Sequence, residues 1–218
     1  MLGLPQSTEY GKKIPKQKFY GNINITANLK RIFVEQIKGI SWTNKIASST
    51  VNVADGQEVH EIEVFEITLT DNNLDEAVLL QIDREIPYHI IYVLSYDGMY
   101  QVWIGYKEKS ISGSNAFKVS TYYHTDWIHE DKLQDTIKIV GTTLDAVYEN
   151  FVKQVAGERL HSDNSEELRV LVEKDNRRKE IEKQISVLQA KIRKEKQLNR
   201  QMEMNEEVKR LRKELEKV

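Results

Sequence analysis

The sequence predicts an α+β body, a small mixed or antiparallel sheet with packed helices, followed by a C-terminal α-helical coiled-coil hairpin. Three observations carry this reading. Tyr88–Ser95 and Met99–Lys107 are β-branched and aromatic runs joined through Asp97-Gly98, a dipeptide suited to a two-residue hairpin turn. Apolar residues at three- and four-residue spacing lie between the strand-like runs, as amphipathic helices require. After Ser165 the composition changes: residues 1–165 hold 16 Lys+Arg against 22 Asp+Glu, whereas residues 166–218 hold 16 against 12. An acidic body therefore carries a basic tail, and the domain reading is a body over 1–157, a linker over 158–165 and a helical tail over 166–218.

Residues 1–25, with Pro5 and Pro15, read as extended and turn-rich. Leu29, Ile32, Phe33, Ile37 and Ile40 predict a helix near 26–39 capped by Thr26. Ser41 to Ile46 reads as a short strand. In Glu61–Leu69 the apolar side chains alternate between two faces, a strand buried on at least one side. Leu74 to Glu85 has helical spacing and stops before Pro87. A helix between the 61–69 and 88–95 strands suggests one βαβ crossover. Phe117–Tyr123 follows a Gly/Ser/Asn loop at 112–115 as another strand, and Leu144 to Val155 predicts a helix ending near Gly157.

In the tail, Ile181, Ile185, Leu188 and Ile192 form one apolar seam. That register reaches Glu195 and Asn199 and fails. A second seam runs through Met204, Val208, Leu211, Leu215 and Val218. A hairpin with Asn205 capping its second arm is preferred over a stutter. Two heptads per seam are too few for independent stability, so a partner surface is expected.

Several classes are excluded. No apolar window approaches the roughly 18 residues of a membrane span, and the N-terminus lacks a signal-peptide pattern, so a cytoplasmic location is expected. There is no cysteine, hence no disulfide, thiolate metal site or thiol nucleophile. Neither G-x-x-x-x-G-K-[ST] nor G-x-G-x-x-G occurs, so nucleotide hydrolysis and dinucleotide binding have no support. No cofactor is expected.

Three groups of residues remain as candidates. Glu61, Glu63 and Asp83 could gather a divalent ion as in metal-dependent nucleases, but no E-x-K follows and polar positions on a half-exposed strand explain them more simply. Lys12, Lys13, Lys16 and Lys18, flanked by Tyr10, Phe19 and Tyr20, could lie along a nucleic-acid backbone or an acidic partner; solvated lysines are the plainer alternative. His124 and His129 with Asp126 and Glu130 offer metal donors at a spacing that fits no helix. Ten of the 18 aromatics fall between Tyr88 and Trp127, a span too neutral to be a base-stacking surface and better read as cross-strand packing.

The segments LPQST, KKIPKQKFY with its Ile14-Pro15-Lys16 motif, IKGISWTNKIASST at 37–50, EIEVFEITL at 61–69, IDREIPYHIIYVL at 82–94 and the tail's KIRKEKQLNRQ resemble a bacterial family of proteins of unknown function. Its members are encoded beside type III-like restriction–modification genes, with helicases and adenine methyltransferases as neighbours. The resemblance implies a setting in defence against foreign DNA and carries no catalytic residues with it. The expected function is a non-catalytic accessory or scaffolding subunit with a helicase, nuclease or methyltransferase partner, bound through Ile181, Ile185, Leu188, Ile192, Val208, Leu211 and Leu215. A second copy of the chain is an alternative partner. The alternatives are a nucleic-acid-binding module using the lysine strip and basic tail, and a divergent metal-dependent nuclease.

Overall fold

A computed structural model of the chain describes residues 2–21, 25–109, 117–161 and 166–218. The loop expected at 112–115 lies outside the described residues, as do residues 162–165 of the expected linker. The chain divides into two compact units, Met1–Gly157 and Glu158–Val218.

The first unit is built on a seven-stranded mixed sheet. Its elements run β1 (Glu9–Ile14), α1 (Ala27–Gln36), β2 (Ile37–Ala47), β3 (Glu61–Leu69), α2 (Glu76–Glu85), β4 (His89–Tyr96), β5 (Met99–Lys109), β6 (Phe117–His124), β7 (Ile128–His129), α3 (Glu130–Leu133) and α4 (Leu144–Ala156). Strands one to six lie in sequence order across the sheet, and β7 pairs with β5. All pairings are antiparallel except β3 with β4. The expected βαβ crossover through α2 supplies that parallel pair, since parallel neighbours require a connection long enough to return to the same sheet end.

Local chemistry fixes the element ends. Thr26 accepts a hydrogen bond from the Leu29 amide at 3.2 Å, and Asp75 and Thr143 cap α2 and α4 in the same way. Asp97 and Gly98 have φ values of 46° and 74°, the pair of left-handed conformations that a tight hairpin needs. Gly157, at φ 55°, ends α4.

Two sequence expectations need correction here. The first helix stops at Gln36, and Ile37 opens an eleven-residue strand rather than a short one. Ile37 and Ile40 fit a helical spacing but are buried as strand residues; an apolar pair three apart cannot separate the two periods. Residues 1–25 contain an edge strand, β1, whose residues are nearly all exposed, so no burial pattern announces it. Its tie to the body is backbone pairing with β2 and a Tyr10–Trp42 ring contact at 4.1 Å.

One sheet face carries Ile40, Phe65, Ile67, Leu69, Tyr92 and Leu94, which pack with Phe19, Phe33 and the apolar side of α2 into a continuous core. The end of this face near the start of β3 and β4 is where polar groups enter it, and there the candidate carboxylates sit.

In the second unit a short 3-10 helix spans Gly157–Leu160, so the expected linker is partly ordered. The helices α5 (Leu168–Lys194) and α6 (Leu198–Leu215) form the hairpin. Its second arm starts after Gln197, not at Asn205, which lies inside α6. Glu195 makes the turn, accepting hydrogen bonds from the Lys196 and Gln197 amides. Ile181, Val208 and Leu211 are buried; Ile185, Leu188, Ile192 and Leu215 are half-buried. An Arg177–Glu214 ion pair ties the arms together far from the turn.

Candidate functional site

The alternation of β3 places Glu61 and Glu63 on one face, as expected, but what they meet there is set by the neighbouring strand. In the β2–β3 register Lys45 lies opposite Glu63, and its Nζ forms an ion pair with Glu61. Burial would raise Glu61, but hydrogen bonds with the Glu63 carboxyl and with Lys45 hold it below the usual carboxylate range, and the hydrogen bond to Glu61 lifts Lys45 above its ordinary value. Glu63 is 1% exposed, and its carboxyl is hydrogen-bonded to the Glu61 carboxyl and to the Trp42 side chain. Burial, reinforced by the neighbouring Glu61 carboxyl, pushes its pKa up to about 9. At neutral pH Glu63 is a neutral acid beside an ionised one.

Asp83 belongs to a different group. It projects from α2 toward β5 and β6, where the Lys107 ammonium lies 2.8 Å from its Oδ1 with both side chains 2% exposed. Tyr122 donates its hydroxyl to Asp83 Oδ2, and Lys107 also donates to the Tyr88 carbonyl. The Tyr122 hydroxyl is pushed far above its ordinary pKa by burial and by the Asp83 charge. The three candidate carboxylates therefore divide between two salt-bridged groups, Lys45–Glu61 with Glu63 beside it, and Lys107–Asp83–Tyr122. Among the described residues no three acidic or histidine side chains converge as a metal site. The geometry does not assemble the acidic cluster that divalent-metal hydrolysis needs.

Glu63 also lines a cleft of about 410 Å³. Its apolar lining is Ile14, Phe19, Trp42, Phe65, Ile86 and Pro87, and Lys18 and Glu85 are its other charged residues. The cleft falls within the roughly 300–1,000 Å³ of small-ligand sites and has their composition, apolar with few polar groups. Sequence reasoning singled out Glu63 and Lys18 separately; that they share a cleft depends on the non-local β1–β2–β3 pairing. Trp42 and Lys45 were missed, because nothing in IKGISWTNKIASST marks which strand lies beside it.

The lysine strip does not stay together. Lys16 donates to the Ile37 carbonyl at 2.5 Å and tethers the segment to β2. Lys12 reaches back over the Tyr10 ring, 4.4 Å from its centroid, and donates to its hydroxyl. Lys13 and Lys18 are exposed. The histidine candidates do not converge either: His124 stacks on Trp103 at 4.3 Å and contacts Gln101, while His129 precedes α3. His89, which the sequence did not mark, is buried between the rings of Phe117 and Tyr148 and is driven by burial to a pKa of about 3, so it remains neutral.

The hairpin offers a different kind of site. Leu198 and Met202, 68% and 59% exposed, lie four residues apart on one side of α6, and Val187 of α5 is also exposed. None of these positions belonged to the seams read from the sequence, whose members face the other arm. Among the described residues no helix is long and apolar enough to cross a membrane.

A family model described as a domain of unknown function (DUF4391) matches residues 2–215. No curated protein and no solved structure matches the chain.

Proposed function

The chain belongs to the DUF4391 family, and we propose that it is a non-catalytic accessory or scaffolding subunit of a bacterial anti-phage, restriction–modification-like complex. In this reading the hairpin is the arm that engages a helicase, nuclease or methyltransferase encoded beside it. The observation that carries the reading is the apolar pair Leu198 and Met202, left exposed on a helix whose own seam is already occupied. Exposed apolar groups on an otherwise charged helical hairpin suit docking onto a partner groove. The tail's basic excess favours a partner surface that is acidic. The carboxylates supply a second line of support: Glu61 and Asp83 are each committed to a lysine. The resemblance carried by the Ile14-Pro15-Lys16 segment suggests the class of partner, by association only.

The test is co-expression of the full chain with the neighbouring helicase and methyltransferase, with complex mass measured by light scattering after size exclusion. Leu198→Glu combined with Met202→Glu is expected to leave the hairpin helical and the chain monodisperse while removing it from the complex, because the new charges sit at exposed positions that touch only the partner. Complex formation at wild-type level by this variant rejects the hairpin as the docking element.

A further inference from the structure

Charge is spread unevenly over the hairpin. Along its arms cations are matched within the chain, as in the pairs Lys174–Glu166, Lys209–Glu206 and Arg210–Glu207. The tip differs. Within residues 191–200 five cations, Lys191, Arg193, Lys194, Lys196 and Arg200, meet one acid, Glu195, and all five are exposed. Glu195 is engaged with the backbone: the Gln197 and Lys196 amides that it accepts hold its carboxyl below the usual carboxylate range. Its one ion pair, with Arg200, is long at 4.0 Å. Among the described residues Lys191, Lys194 and Lys196 have no ion-pair partner. Cations in the last turn of a helix complement its dipole, but that amounts to about half a charge. The excess at the tip, five cations against one acid, is four. Like charges held this close repel one another, and a polyanion relieves the repulsion.

We propose that the hairpin tip is a binding surface for double-stranded DNA, held through its phosphates without reading the base sequence. Density of charge is the first argument. Duplex DNA carries one negative charge about every 1.7 Å along its axis, so a single site supplies counter-charges for all five cations. Geometry is the second. Neighbouring positions on a helix are about 100° apart, so Lys191, Arg193 and Lys194 are spread around the end of α5 rather than lined along one face. The major groove of B-form DNA, about 12 Å wide, admits one helix between two rows of phosphates. The last turn of α5 fits there with cations toward both rows, while Lys196 and Arg200 face the adjoining backbone. The deep, narrow major groove of an RNA duplex offers no such entry. A lipid surface suits the tip less well, because an interfacial helix needs a broad apolar face and the exposed apolar side chains of α6 are Leu198 and Met202. This inference rests on the charges of the tip and not on those two side chains, so it goes beyond the protein-docking reading and is tested separately from it.

The experiment is fluorescence anisotropy of a short labelled DNA duplex of mixed sequence, titrated with the full chain at several salt concentrations. An RNA duplex, polyglutamate and vesicles of phosphatidylserine with phosphatidylcholine serve as competitors. The expected result is binding of the DNA duplex with a log–log salt slope of about −4 to −5, as five phosphate contacts require. Joint replacement Lys191→Gln, Lys194→Gln and Lys196→Gln is expected to flatten that slope by roughly 2.7 and to weaken binding at least tenfold at about 0.1 M salt. The control Lys174→Gln, Lys209→Gln and Arg210→Gln removes the same charge from the arms and is expected to weaken binding less than about threefold. Glutamine is a good helix former, so both variants stay helical, which circular dichroism checks. The assignment is overturned if the wild type leaves the DNA duplex unbound at micromolar concentration in low salt, or if the two variants lose affinity equally. Tighter binding of the RNA duplex, of polyglutamate or of the vesicles also overturns it. The assay contains no partner protein, so its failure counts against the tip alone, whereas failure of the Leu198 and Met202 variant to leave the complex counts against the docking arm.

Discussion

Replacing Lys107 by methionine is expected to destabilise the body by about 3–5 kcal/mol, the usual cost of stranding one member of a buried ion pair. Lys107 extends from β5 under α2, and its ammonium and the Asp83 carboxylate are both sealed from water. In the variant Asp83 keeps only tyrosine hydroxyls, those of Tyr122 and Tyr92, as partners, too little to offset the desolvation of a carboxylate. The Tyr88 carbonyl also loses its donor. Replacing both charges, Lys107→Met with Asp83→Asn, is expected to restore much of the loss, because a buried pair and a well-packed neutral replacement are often close in stability. Urea unfolding of the wild type, the two single variants and the double variant measures the coupling. A loss below about 1 kcal/mol in Lys107→Met, the range of an exposed pair, would show that water reaches this pair. The functional consequence is direct: Asp83 serves the fold, tying the crossover helix to β5 and β6, and is not available as a metal ligand.

The second large effect has the opposite sign. Glu63→Gln is expected to stabilise the chain near pH 7, by up to about 3 kcal/mol. The unfolded carboxyl titrates near 4.5, the folded one near 9. As pH rises between these values the unfolded state gives up a proton that the folded state retains. The contribution of Glu63 to stability is therefore present in full below about pH 4.5 and is lost progressively up to about pH 9, at roughly 1.4 kcal/mol per pH unit. Glutamine has no such loss. Chemical denaturation across this range should show the two stability curves converging in acid and separating as pH rises. Parallel curves would mean that Glu63 titrates alike in the folded and unfolded states.

Much of the fold was legible because local chemistry dictates it. The Asp97-Gly98 turn needs two left-handed residues and its sequence supplies them; Thr143 and Gly157 bracket α4 for equally local reasons. The failures are those where no local signal exists. β1 is an exposed edge strand held by backbone pairing, and Ile37 and Ile40 satisfy helix and strand spacing alike. Asn205 looks like a cap, yet Glu195 makes the turn ten residues earlier and α6 runs through it. The candidate site divides in the same way. Carboxylates on one face of β3 follow from alternation alone. Lys45 claiming Glu61, Lys107 claiming Asp83, and Trp42 lining a cleft beside Glu63 are consequences of strand register, which a single sequence does not contain.

Scaffolding and catalysis make different demands on these residues, and if the proposed anti-phage role holds, phage plating on cells carrying the chain with its genomic neighbours separates them most directly. Three versions of the chain are compared at equal protein level: wild type, Leu198→Glu with Met202→Glu, and Glu61→Gln with Glu63→Gln. The proposed accessory role predicts that the hairpin variant loses protection by failing to join a complex, while the double glutamine variant protects at least in part. Full protection by the hairpin variant, together with complete loss in the glutamine variant at unchanged complex assembly, would contradict the accessory role and place chemistry at β3.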